Sequence, residues 1–570
     1  MVEVLLTTDD TSMCPHYRSF LLLVLLCTFG PLVRCQEWAT VDPSMRWLAG
    51  GLPAAPVVLA RALDADSAHR DDERRDRDGR MPLYARFASV DIDPWNSGIW
   101  TDLGNGDRIW RVELVSSGAL AVEAFLADVH LPPGGVLYFH DPQGDQLQGG
   151  YTAAHVAPDG YLTTLPIMGE RVVLEYFEPR AVAGQGDFRV TDLAHTYRFL
   201  EEVRTGACQV DVNCSEGGDW SAQRDAVVRI RIVIPSGAGF CTGTLMNNTA
   251  QDCTPYILTA FHCGEESVSA NFSQYQFLFN YQRACGSGTA PASQLITGCQ
   301  RRADSNDSGP EGGGTYGSDF MLLQLNSVVP ASFNAYYAGW EATVFVPEAG
   351  VCIHHAAGDF KKISTYTTAL GSSSWAGFTV GSHWRVTWTA TANGHGVTEP
   401  GSSGAPLFNA SKRVIGTLTG GSSCCTSNGC GPQTGLNQPD YFGKVNYHWN
   451  ENPNPAEEKL RLFLSPTGNV VTLNGSYAPC GAIGVDEVRG PDGHSIHVTV
   501  LHGHLIVRAV DQEENGSWVS IIDPTGRVVH EERMGRSGLT FRMEDRPSGV
   551  YFVRSIGAGC SATQRIHFIH

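Results

Sequence analysis

Tyr256-Ile257-Leu258-Thr259-Ala260-Phe261-His262-Cys263 is an apolar, strand-like run that ends in a histidine beside a cysteine. A second cysteine, Cys241, lies 22 residues upstream and is placed to pin the turn. A lone histidine among 19 is ordinarily a satisfied surface residue, but one that closes a buried strand beside a cysteine is not. Two further stretches give it company. Gly317-Ser318-Asp319-Phe320-Met321-Leu322-Leu323 leads an aspartate into another apolar strand, where its desolvation must be offset by a partner. Gly401-Ser402-Ser403-Gly404-Ala405-Pro406 sets a serine in a glycine-flanked turn whose consecutive N–H groups can converge. Taken singly, the aspartate reads as a strand cap and the serine loop as a common turn. Together they supply a hydroxyl, an imidazole and a carboxylate, the set that serine-based amide hydrolysis needs. They occur in the order His, Asp, Ser, separated by 57 and 84 residues. That is the order of two-barrel serine hydrolases.

The rest of the chain suits this reading. With 570 residues, three or so domains are expected. Gly 63, Pro 30 and only 17% charged residues indicate a turn-rich, mainly β protein. A formal charge of −19 argues against nucleic acid or an anionic membrane surface as the main partner. Near the N-terminus, His16 and Arg18 precede the apolar run 20–29 (FLLLVLLCTF), read as an export signal used from Met13. The run is well short of the roughly 20 residues of a spanning helix. Val33 and Cys35 suit cleavage after Cys35, and Arg34 disfavours a lipoprotein reading of that cysteine. Of 16 cysteines, 11 fall between Cys208 and Cys430, which reads as a disulfide framework. Zinc is the competitor, but no CxxC pair has a second such pair or an HxxxH partner.

Residues 65–80 are a mixed-charge run without apolar period, read as a solvated linker. Short alternating stretches around 110–114, 136–139 and 172–176, separated by Pro/Gly turns, predict a small β-sandwich before residue 204. Strands are predicted at 226–234, 256–260, 276–281, 320–325, 385–391 and 413–418. One helix is predicted at 456–464, with Leu460, Phe463 and Leu464 on one face. Many short strands closed by a terminal helix suit a double β-barrel. Further strands at 496–500, 505–508, 519–522 and 550–554 predict a third β unit, and no 20–50-residue repeat is visible. The expected organisation is a signal peptide (1–35), a β-sandwich prodomain (36–204), a protease domain (205–465), a linker (466–479) and a C-terminal β-sandwich (480–570).

At residues 208–464 the sequence resembles the lysyl endopeptidase branch of the trypsin-like serine proteases. The resemblance rests on Cys241-Thr242-Gly243-Thr244-Leu245-Met246-Asn247-Asn248-Thr249, Thr259-Ala260-Phe261-His262-Cys263, Ser318-Asp319-Phe320, Ile353-His354-His355 and Gly396-Val397-Thr398-Glu399-Pro400-Gly401-Ser402-Ser403-Gly404. It implies an all-β, trypsin-like double barrel with His262 as general base, Asp319 as orienting carboxylate and Ser403 as nucleophile. The N–H groups of Gly401 and Ser403 would form the oxyanion hole. Asp440-Tyr441-Phe442-Gly443-Lys444-Val445 matches the family's pocket motif and nominates Asp440, with Thr419 and Gly420 beside it, for substrate binding. The best-known members carry a His, stacked on a Trp, where this chain has Thr419; Trp375 is available as the Trp.

The resemblance also implies Cys241–Cys263, Cys214–Cys285 and Cys208 with Cys425 or Cys424. His354 and His355 are read as structural, since neighbours in a strand face opposite ways. No metal or cofactor is implied. Ser402 stands where trypsin-type activation needs a carboxylate, so removal of the prodomain is expected to uncover the cleft by another route.

The tail, at residues 522–529, 547–554 and 565–567, resembles the C-terminal sorting domain of type IX secretion cargo. The expectation is a monomeric, secreted or cell-surface endopeptidase cutting proteins and peptides after lysine, and handed to the secretion machinery by its C-terminal domain. Two alternatives stay open: a broader Lys/Arg protease, and an inactive adhesin on a protease scaffold.

Overall fold

A computed structural model describes residues 52–568, except 78–79, 199–204, 289–293, 307–316, 376, 426–429, 452–454, 456–457, 467, 481–495, 502–503, 510–517, 524–526, 536–537, 544–548 and 558–559. The export signal lies outside these residues, as do parts of the two tail turns.

In the N-terminal region, period-two patterning sets the core. Trp110, Val112 and Leu114 of strand Arg108–Val115 stand opposite Tyr176, Leu174 and Val172 of Arg171–Glu178, and all six are buried. They belong to a six-stranded sheet whose inner face shares one core with Ala124, Leu126, Val190 and Leu193 from strands Ala121–His130 and Asp187–Thr196. Those two strands do not end the sheet they belong to. Leu83–Ile92 lies beside Asp187–Thr196 and, on its other edge, pairs with Gly237–Met246. The register is Arg86 opposite Gly237, Ala85 opposite Ala238 and Leu83 opposite Gly239. A single 12-stranded sheet thus runs from the N-terminal region into the cysteine-rich region that follows it.

The first barrel is built on that continuation. Val227–Ile234 pairs with Gly237–Met246 and Gln276–Phe279, and Tyr256–Thr259 links Gly237–Met246 to Met321–Leu325, nearly closing the sheet on itself. A separate ten-stranded sheet has Gly350–His354, Pro406–Asn409, Val414–Gly421 and Asp440–Lys444 as adjacent strands. One apolar cluster reaches from Leu258 and Phe320 of the first to Ile353, Val414 and Val445 of the second.

Three expectations need correction. The charged run at 65–80 is helical over Ala65–Arg77. Its charges have partners: Asp71 and Asp72 each meet Arg86 at 2.6 Å, and Arg75 meets Glu266 at 2.6 Å. The terminal helix is described over Leu460–Leu464, where Leu460 and Leu464 are fully buried and Phe463 packs edge-on to Tyr256. Residues 456–457 of the predicted helix are outside the described set. The stretch 466–479, expected as a linker, is bound to the protease. Thr472–Leu473 pairs with Trp340–Glu341, Tyr477 donates to Asp225, and Cys480 is disulfide-bonded to Cys253.

The three implied disulfides are present, with Cys425 as the partner of Cys208, and Cys424 bonds Cys430. Cys299 and Cys352 are buried thiols. The C-terminal strands form a three-stranded and a four-stranded sheet around Leu505, Val507, Val519, Ile521, Tyr551 and Val553.

Candidate active site

His262 sits in the short helical turn Phe261–Gly264 that ends strand Tyr256–Thr259, and the Cys241–Cys263 bond fixes the turn to the neighbouring strand. Pairing of Thr259 with Met321 brings the residues before Met321 alongside. The Asp319 carboxylate therefore meets His262 twice, at the ring Nδ1 (2.8 Å, Oδ2) and at the backbone N–H (3.0 Å, Oδ1). Asp319 is buried. Burial alone would raise its carboxyl, but the His262 imidazole, with its ring and backbone N–H groups, holds it below the usual carboxylate range. A carboxylate so placed selects the imidazole tautomer whose Nε2 can accept a proton.

Ser403 reaches this pair through its backbone. The N–H of Thr242 donates to the Ser403 carbonyl (2.8 Å), and the Thr242 hydroxyl donates to the Gly401 carbonyl (2.9 Å). Thr242 directly follows Cys241, so one residue fastens the serine loop to the histidine turn. Gly404 completes the contact. A Cβ there would fall 2.1 Å from Thr259 Oγ1 and 2.7 Å from the Ala260 nitrogen, so any side chain would push the serine loop off the strand that leads to His262. His262 and Ser403 are both partly exposed, as groups meeting a substrate must be.

Gly401 and Ser403, whose N–H groups are the expected oxyanion donors, lie in the same loop. Gly401 has φ +93° and packs its α-carbon against the 355–358 backbone, where the N–H of Ala357 donates to the Pro400 carbonyl. The N–H of Ser402 is taken up by the Glu399 carbonyl and that of Ala405 by the Ser402 carbonyl. Among the described residues no acceptor engages the N–H of Gly401 or Ser403. His354 bonds Ser402 and Ser364 through its two ring nitrogens, and burial lowers it to about 3, so it braces the loop as a neutral ring. His355 is likewise buried, its Nδ1 at the Asp359 carbonyl.

Asp440 lies on the strand beside Val414–Gly421, opposite Gly421, and is fully buried. Its Oδ2 accepts from Trp388 Nε1 (2.6 Å), Thr398 Oγ1 (2.8 Å) and Ser423 Oγ (2.5 Å), and its Oδ1 from the Ser423 N–H (3.1 Å). Burial raises its carboxyl, and the Ser423, Trp388 and Thr398 bonds oppose the rise. A Cβ on Gly421 would occupy the carboxylate's own place, 1.8 Å from Oδ1. Gly420 lies under the Trp375 indole, which also meets Tyr441 at 5.1 Å. The Thr419 hydroxyl and His383 Nε2 are hydrogen-bonded at 3.0 Å. Thr419, Gly420 and Asp440 thus share one patch of neighbouring strands. Glu399, the other acidic residue near the serine, is turned to the N–H of Gly206 instead. Of the partners missed in sequence, Thr398 was in view inside the serine-loop motif, whereas Trp388, Ser423 and His383 carry no local signal.

Residues 203–443 match the family model described as the lysyl endopeptidase C-terminal domain. A lysyl endopeptidase of Pseudomonas aeruginosa is 30% identical over 353 residues, covering 57% of this chain and 71% of that protein. Among solved structures, the HtrA-type protease AlgW with a tripeptide aligns at 12% identity over 60% of this chain and 93% of its own, with a TM-score of 0.26. An inactivated scabies mite protease paralogue aligns at 12% identity over 43% of this chain and 95% of its own, with a TM-score of 0.25. Neither overlap is close enough to argue from.

Proposed function

The chain belongs to the lysyl endopeptidase family, and on that premise we propose that it is a secreted serine endopeptidase cutting after lysine, with Ser403, His262 and Asp319 as its triad. The observation that carries the reading is Thr242, which fastens the Ser403 loop to the turn where His262 holds Asp319. In the reaction, Ser403 Oγ attacks the scissile carbonyl while His262 Nε2 takes its proton. The N–H groups of Gly401 and Ser403 receive the negative charge that develops on the carbonyl oxygen. His262 then protonates the leaving amine, and water, activated by the same imidazole, releases the acyl group from Ser403.

The pocket chemistry favours lysine. Three donors already crowd Oδ2 of Asp440, and Oδ1 holds one. One compact ammonium can be matched by the remaining face, whereas a planar guanidinium fork wants two open oxygens.

The N-terminal region serves as a prodomain in this reading. Its strand Leu83–Ile92 lies on the strand that runs into Cys241 and Thr242, Tyr84 stacks on Phe240 at 4.5 Å, and Arg75 and Arg80 both hold Glu266, four residues past His262. Release of this region uncovers the histidine side of the cleft. The C-terminal region acts as a secretion-sorting domain.

Peptide-library cleavage read by mass spectrometry tests the assignment with three proteins. Wild type should cut after lysine, and Ser403→Ala should neither cut nor label with a fluorophosphonate. Asp440→Asn should label yet lose kcat/KM for lysyl bonds by about 10²–10³-fold, the worth of an unmatched buried charge. Labelling that survives in Ser403→Ala refutes the triad, and equal cutting after arginine in wild type widens the specificity.

A further inference from the structure

The short helix Val445–Asn450 follows directly on the pocket strand Asp440–Lys444 and carries His448, which is fully buried. Its ring lies against Phe320 with centroids 4.8 Å apart. Nδ1 is 2.7 Å from the Ser318 hydroxyl, and Nε2 is 3.0 Å from the Thr417 hydroxyl. Both hydroxyls border the candidate triad. Ser318 immediately precedes Asp319, and Thr417 Oγ1 also lies 3.4 Å from the Asp319 carbonyl. From the same side Gly443 presses its backbone on Ser318, where a Cβ would fall 1.8 Å from the carbonyl oxygen.

Asp319 itself has φ +58°, in the left-handed region that residues other than glycine seldom adopt. Such a conformation persists only where its surroundings over-determine it. The result of holding it is that one carboxylate oxygen reaches His262 Nδ1 while the other reaches its backbone N–H.

We propose that His448 is the positioning residue for the Asp319 carboxylate, clamping Ser318 with one ring nitrogen and Thr417 with the other so that the strained turn stays aimed at His262. The inference rests on the triad reading above. A neutral imidazole is suited to this role, because one donor and one acceptor on a rigid ring span two hydroxyls, and each hydroxyl can play the complementary part. Burial, which lowers the ring to about 3, keeps it uncharged, so it does not compete with His262 for the carboxylate. The ionisable groups acting on His448 are His383 and Asp319. His383, lowered to about 4 mainly by burial, is likewise neutral at working pH.

The test expresses the full chain carrying His448→Leu, His448→Gln or Thr417→Val, and normalises rates to active sites titrated with a fluorophosphonate. For His448→Leu, kcat per site on a lysyl ester should fall by about 10²-fold, the scale of a misplacement near 1 Å, with KM within about two-fold. The acid limb of the kcat/KM profile should move to lower pH, because a carboxylate out of place favours the protonated base less. Asp319 and Glu265 both interact electrostatically with His262, and the substitution displaces the first. His448→Gln, which keeps a donor and an acceptor, should recover part of the rate. A merely structural role would lower the melting temperature and the number of titratable sites while leaving kcat per site and the acid limb unchanged; that result overturns the proposal. Should His448→Leu fail to fold, Thr417→Val decides: a several-fold loss in kcat per site with the same pH displacement supports the clamp, and wild-type values overturn it. Failure here is distinct from failure of the triad, which would show as turnover by Ser403→Ala whatever His448 does.

Discussion

The regions on either side of the protease are both antiparallel β structure, yet they are joined to it differently. Strands Leu83–Ile92, Asp187–Thr196 and Ala121–His130 share a sheet with the first barrel, and the seam is sealed by Arg231, buried against the Glu123 carboxylate and the Thr163–Thr164 backbone and hydroxyl. Strands of residues 496–568 pair, among the described residues, only with one another and close over their own apolar cluster. Taking away the first region would leave an open strand edge at Gly237–Gly239 and strip Arg231 of its carboxylate partner and its cover. Taking away the second would leave neither. A region that shares hydrogen bonds and charge with its neighbour can report on it or restrain it; one whose strands close over their own core has no such hold.

Paired core substitutions should show the difference most strongly. In the Ser403→Ala background, Glu123→Ala strands Arg231 and should destabilise the chain by about 3–5 kcal/mol, moving the protease transition in calorimetry. Tyr551→Ala removes a comparably buried ring, and its cost of about 3–5 kcal/mol should appear only in a separate C-terminal transition. A protease transition that ignores Glu123→Ala or follows Tyr551→Ala would erase the contrast.

Acid should sharpen it further. His354 and His448 are lowered by burial to about 3 and His383 to about 4, all within the protease. The unfolded chain takes up those protons near pH 6.5 and the folded chain only near 3–4. Between these limits the unfolded state binds more protons, so protease stability falls as pH falls, by up to about 1.4 kcal/mol per pH unit for each ring. Melting curves from pH 7 to 4 with a flat protease midpoint would contradict this.

Two smaller effects complete the series. Arg80, half exposed, pairs with Glu266, and Arg80→Ala should cost less than about 1 kcal/mol while modestly hastening loss of the N-terminal region during limited proteolysis. Ending the chain after Cys480, so that its bond to Cys253 survives, should leave kcat/KM on a lysyl peptide at the full-length value. A change beyond experimental scatter would mean that the C-terminal region is coupled to the active site.

Much of the site is legible in the sequence because catalysis and close-packed turns demand particular residue types at fixed places. His262 closes an apolar strand, Gly404 has no room for a side chain, and the Cys241–Cys263 bond spans few residues. What escapes depends on distant partners. The charged run at 65–77 looks solvated because its counter-charges include Glu266, far along the chain. Cys480 looks like part of the tail because its partner is 227 residues away. His448, between Tyr447 and Trp449, has nothing in its neighbourhood to mark it; only the fold brings Ser318 and Thr417 to its two nitrogens.

That same long-range bond has a mechanical meaning. Cys253 and Cys480 close a covalent ring, and His262, Asp319, Ser403 and Asp440 all lie inside it. Tension applied to the chain from beyond Cys480 has a direct covalent route to Cys253, in parallel with the routes through Cys263, Cys285 and Cys425 to their own partners. A nick within the ring likewise frees no fragment. Whatever pulls on the C-terminal region meets a cross-linked ring rather than a single strand of chain, and the load is divided among its bonds.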